Sequence, residues 1–308
     1  MPGIITVLNT PFTVNDVIDL DGLRRNVTHA LDAGVAGFLV PAMAAEVGKL
    51  TVDERETMVR TVLESVAGRV PVIGGASAPT GEERVNTARR LVELGCDGIL
   101  VSIPYENEAQ YAKDVQAVAD QHAPFLMLQD WDATGAGVPV SLIARLFDEV
   151  EPFRCLKVEV VNAGVKYSAV LEATHGRLHV SGGWAVMQMI EALDRGVHAF
   201  MPTGLHEIYT RIFALYQAGR RDDARALFNR LLPVLAFSNQ HLDISIHFFK
   251  RLCHRQGIYA TDLVRPPILP FDTHHARIAG ELIDRALQLM RECANSRSPV
   301  SGPGGAKQ

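Results

Sequence analysis

The segment Phe153–Gly164 reads FRCLKVEVVNAG, an apolar, β-branched run of strand character interrupted by Lys157 and Glu159. Residues two apart on a strand point to one face, so this spacing sets an amine and a carboxylate side by side. Burying such charges costs free energy unless they are well paired or have a task. The residue types alone leave two readings open. One is a structural Lys157–Glu159 ion pair. The other is chemical: burial disfavours the protonated form of a lysine amine. A neutral amine attacks a carbonyl to form a Schiff base, which turns the bound substrate into an electron sink.

Other chemistry-bearing residues fall just after strand-like runs. Glu46 follows AGVAGFLV, Gln129 and Asp130 close PFLMLQD, and Gly182, Gly183 and Trp184 follow LHVS. Two glycines in succession suit a phosphate cradle or a close backbone approach beside a pocket. Trp131 and Trp184 suit a pocket wall better than a cofactor stack. His274 and His275 beside Asp272 resemble a metal cluster only loosely, and a solvated helix start accounts for them. Asp53, Glu54 and Glu56 read as a capping motif and a solvated face. HExxH, a Walker loop and a strand-linked GxGxxG are all absent from the sequence. The expectation is therefore no metal and no external cofactor, the lysine itself supplying the electron sink.

These residues need a scaffold that gathers strand ends. A faint repeat supplies one: AGVAGFLV, LGCDGILV and RGVHAFMP begin at residues 33, 94 and 195. Each has a glycine to close a helix, two linking residues, a small residue and an apolar strand. The separations are close to two and three units of about 30 residues, the size of a βα unit. GIITVL, VPVIGGAS, PFLMLQD, CLKVEV and LHVSGG supply five further strands, with helical patterns between them. One of these, TVDERETMVRTVLESV, carries Thr51 as N-cap and Glu54 at the capping-box position. Eight strands alternating with helices predict a (β/α)8 barrel over residues 1–220; a doubly wound sheet is the rival arrangement. After Pro202 the pattern turns purely helical. The first of these helices is expected to close the barrel, with a C-terminal helical region over 221–294. The Ser/Pro/Gly-rich stretch 295–308 reads as a disordered tail.

Bulk composition narrows the class. The chain has 308 residues, 47% of them apolar, enough for a large core, and its net charge of −5 is well mixed. A basic patch for nucleic acid or membrane is not evident. The apolar runs are strand-length, well short of the roughly 20 residues of a membrane span. Four scattered cysteines without a C-x-x-C pair read as reduced thiols in a cytoplasmic protein.

Several stretches occur in an order that resembles the dihydrodipicolinate synthase/N-acetylneuraminate lyase superfamily. They are NTPF (9–12), LTVDER (50–55), GRVPVIGG (68–75), GCDGILV with Pro104-Tyr105, and the strand-six lysine. The resemblance covers the whole chain short of its tail. It implies a Schiff-base barrel acting on small 2-keto acids, with Lys157 as the imine-forming amine and a homotetramer as the assembly.

The departures from that pattern are as informative as the matches. Where the family has Gly-Thr-Thr-Gly-Glu, whose threonines bind the keto-acid carboxylate, this chain has Ala42-Met43-Ala44-Ala45-Glu46. The usual Tyr-Asn at the end of strand five is Gln129-Asp130, and the second tyrosine of Pro-Tyr-Tyr is Glu106. All three hydroxyls of the family's proton relay are missing. LQDW, LKVE and GGW instead resemble the L-2-keto-3-deoxyarabonate dehydratase branch. The favoured expectation is dehydration of a 2-keto-3-deoxy sugar acid, with Lys157, Glu159 and Gln129 at the chemistry. A pyruvate-releasing retro-aldolase and a silent keto-acid-binding member are the alternatives. Substrate contacts are expected from Ala44, Ala45, Glu46, Asp130, Gly182, Gly183 and Trp184, with the carboxylate held by main-chain amides of residues 44–46.

Overall fold

The computed structural model describes residues 1–295, with Trp184 and Ala185 described in their backbone alone. From residue 296 the expected tail lies outside the described residues. Eight strands alternate with helices: β1 (Gly3–Val7), β2 (Gly37–Val40), β3 (Val72–Gly75), β4 (Gly98–Ser102), β5 (Leu126–Asp132), β6 (Phe153–Val160), β7 (His179–Gly182) and β8 (Ala199–Phe200). They are parallel and close in sequence order, β8 pairing with β1. The expectation of a (β/α)8 barrel holds, and the doubly wound alternative falls. Helices α1 (Leu20–Asp32), α2 (Val52–Val66), α3 (Gly81–Glu93), α4 (Glu108–Ala119), α5 (Val140–Glu149), α6 (Ala163–Ala173) and α7 (Met189–Asp194) connect the strands. They are followed by α8 (His206–Gln217), α9 (Arg221–Ser238), α10 (Leu242–Arg255) and α11 (Thr273–Asn295).

Local chemistry explains the junctions. Gly34, Gly95 and Gly196 follow α1, α3 and α7 with φ of 84°, 93° and 86°, the left-handed region where a Cβ is unwelcome. There the chain turns from helix to strand in four residues, which is why the repeat is legible. At the start of α2, Thr51 and Glu54 form the reciprocal capping box.

Alternation along the strands produces two apolar layers. Ile5, Val7, Leu39, Ile73, Leu100, Met127, Cys155 and Ala199 fill the barrel interior, while a larger cluster packs the outer strand faces against the helices. Removing this surface from water supplies the main stabilisation. The C-terminal helices are not a detached appendage: α10 packs against the turn Met43–Ala45 after β2. Among the described residues, no helix is long and apolar enough to cross a membrane.

Candidate active site

Lys157 and Glu159 face the barrel interior, as their spacing requires, and Nζ of Lys157 lies 3.1 Å from Oε2 of Glu159. Register places Gln129 on β5 beside Lys157 and Trp131 beside Glu159. Nε2 of Gln129 donates to the same Oε2 at 2.5 Å. One carboxylate oxygen thus receives two donors, from the amine and from the amide. Above the apolar layer these groups open into a cavity of about 120 Å³ that also meets Ala42, Met43, Ala44 and Gly183. Lys157 and Glu159 are the only charged residues lining it among the described residues.

Several expected contacts are elsewhere. Asp130 points outward, since neighbours on a strand face opposite sides; only Gln129 and Trp131 reach the cavity. Its carboxylate pairs with Lys166 of α6 and accepts the Val138 N–H at 2.9 Å. Burial pushes the Asp130 carboxyl up from its ordinary range, and Lys166 pulls it back. Glu46 is also absent from the lining. It sits at φ 57°, and its side chain enters a buried pair with Lys250 of α10. Nζ of Lys49, at 3.1 Å, and the Arg265 N–H, at 2.9 Å, complete its shell.

The turn after β2 keeps only part of its assigned role. The Ala45 and Glu46 amides already bond the carbonyls of Ala42 and Met43, at 2.8 and 3.0 Å. Ala45 is buried and does not line the cavity; Ala44 does. A carboxylate there has the amides of Met43 and Ala44 to meet, the opening N–H groups of a 3₁₀ turn. Gly182 ends β7 and does not line the cavity. Trp184's side chain lies outside the described residues. The Asp272–His275 pair is a helix start, the Asp272 carboxylate accepting the His275 N–H at 2.8 Å.

Gly183 has a steric reason to be glycine. A Cβ at that position would lie 1.8 Å from Oε1 of Glu159 and 2.3 Å from its carboxyl carbon. Gly183 therefore lies beside a carboxylate, where a phosphate would be repelled, which favours the close-approach reading. Gly183→Ala is expected to fold, because its φ of −82° is open to alanine, but to push Glu159 off Lys157. Misplacement by about 1 Å costs on the order of 10²-fold in turnover. A kcat within threefold of the parent, in steady-state assays, removes Glu159 from the chemistry.

Sequence reasoning missed half of the cavity. Tyr209 of α8, Asn239 at the end of α9, and Leu242, Ser245 and Phe249 of α10 line it together with Thr203. Leu242, Ser245 and Phe249 are three and four apart, one face of a helix. A serine on an otherwise apolar stripe was the one available signal. The candidate site thus extends past residue 220, into the helical region.

Fold and cavity together define a (β/α)8 barrel with its chemistry at the carboxyl ends of the strands. The Dihydrodipicolinate synthetase family matches over residues 1–286, and the chain belongs to that family. An L-2-keto-3-deoxyarabonate dehydratase of Azospirillum brasilense is 29% identical over 276 residues, 86% of this chain and 88% of that one. A 4-hydroxy-tetrahydrodipicolinate synthase of Xanthomonas campestris is also 29% identical, over 98% of this chain and 99% of its own. A putative dihydrodipicolinate synthetase from Pseudomonas aeruginosa superposes with a TM-score of 0.83 at 26% identity, covering 93% of this chain and 99% of that one.

Proposed function

We propose that this chain is a Schiff-base lyase that dehydrates a 2-keto-3-deoxy sugar acid. The observation that carries the reading is the shared carboxylate. Glu159 holds the Lys157 amine on one side and the Gln129 amide on the other. A glutamine cannot exchange protons. With Gln129 in the family tyrosine's place, Glu159 is the proton-exchanging group beside the amine. The likeness to the dehydratase supports the same reading, while the equal likeness to the synthase does not discriminate.

The steps follow from the groups present. The Lys157 amine gives up one ammonium proton to pocket water and adds to the C2 carbonyl; the carbinolamine hydroxyl takes that proton and leaves as water, which gives the protonated imine with Glu159 still ionised. Glu159 then removes a proton from C3, and the electron pair moves toward the imine nitrogen. Return of that pair expels the C4 hydroxyl, which leaves as water with the proton from Glu159. Hydrolysis of the imine frees the product and the amine. The substrate carboxylate lies against the amides of Met43 and Ala44.

The test is Glu159→Gln. Glutamine keeps the shape and an acceptor for the ammonium but cannot carry a proton. The variant should still be tagged by borohydride in the presence of a 2-keto-3-deoxy acid, while turnover falls about 10²–10⁴-fold. Parallel loss of tag and turnover would make Glu159 a purely structural partner of Lys157. Failure of the parent chain to dehydrate any member of a 2-keto-3-deoxy acid panel sinks the assignment.

A further inference from the structure

Besides the Lys157 chemistry, the cavity is lined by polar side chains of the C-terminal helices. Tyr209, Asn239 and Ser245 reach it from α8, the end of α9 and α10. The amide nitrogen of Asn239 is buried without a hydrogen-bond partner among the described residues. Among the described residues its side-chain oxygen meets only the Ser238 hydroxyl, at 3.4 Å. A buried donor left unmade is unfavourable, and in a cavity wall its natural complement is an acceptor on a ligand. Tyr209 is 1% exposed, and neither its hydroxyl nor that of Ser245 is bonded among the described residues.

Charge narrows the ligand. Nothing on this wall is ionised, and the cavity's two charges already face each other across 3.1 Å. A phosphate or a second carboxylate would arrive there without a counter-charge, at a heavy desolvation cost. Sugar hydroxyls match the wall, because each both donates and accepts, as do Tyr209 and Ser245, while Asn239 contributes a donor. The helix face is also held in place. Lys250, one residue beyond Phe249, is locked to Glu46 at the foot of the turn that carries Met43 and Ala44.

We propose that Asn239, Tyr209 and Ser245 form the subsite for the uncharged, hydroxylated chain of a 2-oxo acid held at Lys157, and set its preference over pyruvate. The proposal rests on the Schiff-base reading above and deepens it, since it assigns the end of the substrate remote from the imine.

The experiment is borohydride trapping of the full-length chain at graded concentrations of pyruvate and of a 2-keto-3-deoxypentonate. The ratio of the two half-saturating concentrations measures the preference. Asn239→Leu, Tyr209→Phe and Ser245→Ala each remove one polar partner at nearly constant shape. Each should lower the ratio about three- to tenfold, the worth of one hydrogen bond. Ser245→Ala and Tyr209→Phe delete a single oxygen, so they keep the test alive if Asn239→Leu fails to fold. Ratios within twofold of the parent in the folded variants overturn the subsite while leaving the imine chemistry standing. An untagged parent chain with both acids overturns the Schiff-base reading, and this one with it.

Discussion

Lys157→Arg should leave a folded chain that borohydride no longer tags with any 2-oxo acid and whose turnover is lost entirely. Arginine retains the positive charge and can still meet Glu159, so the buried carboxylate keeps a partner. Its guanidinium stays protonated at any working pH and offers no nucleophilic lone pair. Loss of covalent chemistry with little change in melting temperature separates the nucleophile from the ion pair, the two readings open from residue types alone. The parent should gain mass on one peptide, the one that carries Lys157. A tag on another lysine, or an arginine variant that still turns over, rules out imine chemistry at this position.

The second large effect concerns stability. Glu46 and Lys250 are both fully buried, and each is committed to the other. Lys250 also donates to the Leu263 carbonyl at 2.7 Å and lies 4.2 Å from the centre of the Phe12 ring. Glu46→Gln strands the buried Lys250 ammonium and should cost about 3–5 kcal/mol in urea unfolding, while Lys250→Met leaves the Glu46 carboxylate to Lys49 and the Arg265 N–H and should cost less. The double replacement should cost less than the sum of the two, because both members of the pair leave together. If the two single costs simply add, the pair is not the coupled unit the structure describes.

The same pair gives a pH signature. Burial pulls the Lys250 amine from its ordinary 10.5 down to about 8, against the opposing pull of Glu46. Between those values the unfolded chain still binds the proton that the folded chain has released. The stability contributed by this group therefore rises with pH across that window and is lost as pH falls through it. Subtracting the unfolding curve of Lys250→Met from that of the parent should isolate this slope. A difference that is flat from about pH 8 to 10.5 would contradict the lowered value.

Read from its residues alone, the chain declared whatever depends on short range. Two-residue periodicity put Lys157 and Glu159 on one face, and that is a property of any strand. Glycines at the helix ends marked the αβ junctions because only a left-handed residue makes that turn so tightly, as Gly34, Gly95 and Gly196 do. The capping box at Thr51 is likewise a matter of three residues. Strand order and count followed from such local signals.

What tertiary structure alone decided is where polar groups find their partners. Glu46 looked like a site residue by position in a motif, yet its carboxylate is claimed by Lys250, more than two hundred residues along the chain. Asp130 sits beside Gln129 in sequence and on the other side of the sheet in space, held by Lys166. Asn239 and Ser245 line the cavity through helices whose own periodicity reports only an apolar face. Local sequence sets backbone conformation through short-range sterics and hydrogen bonds. The fate of a buried charge or amide depends on which distant groups the fold brings within about 3 Å, the reach of a hydrogen bond.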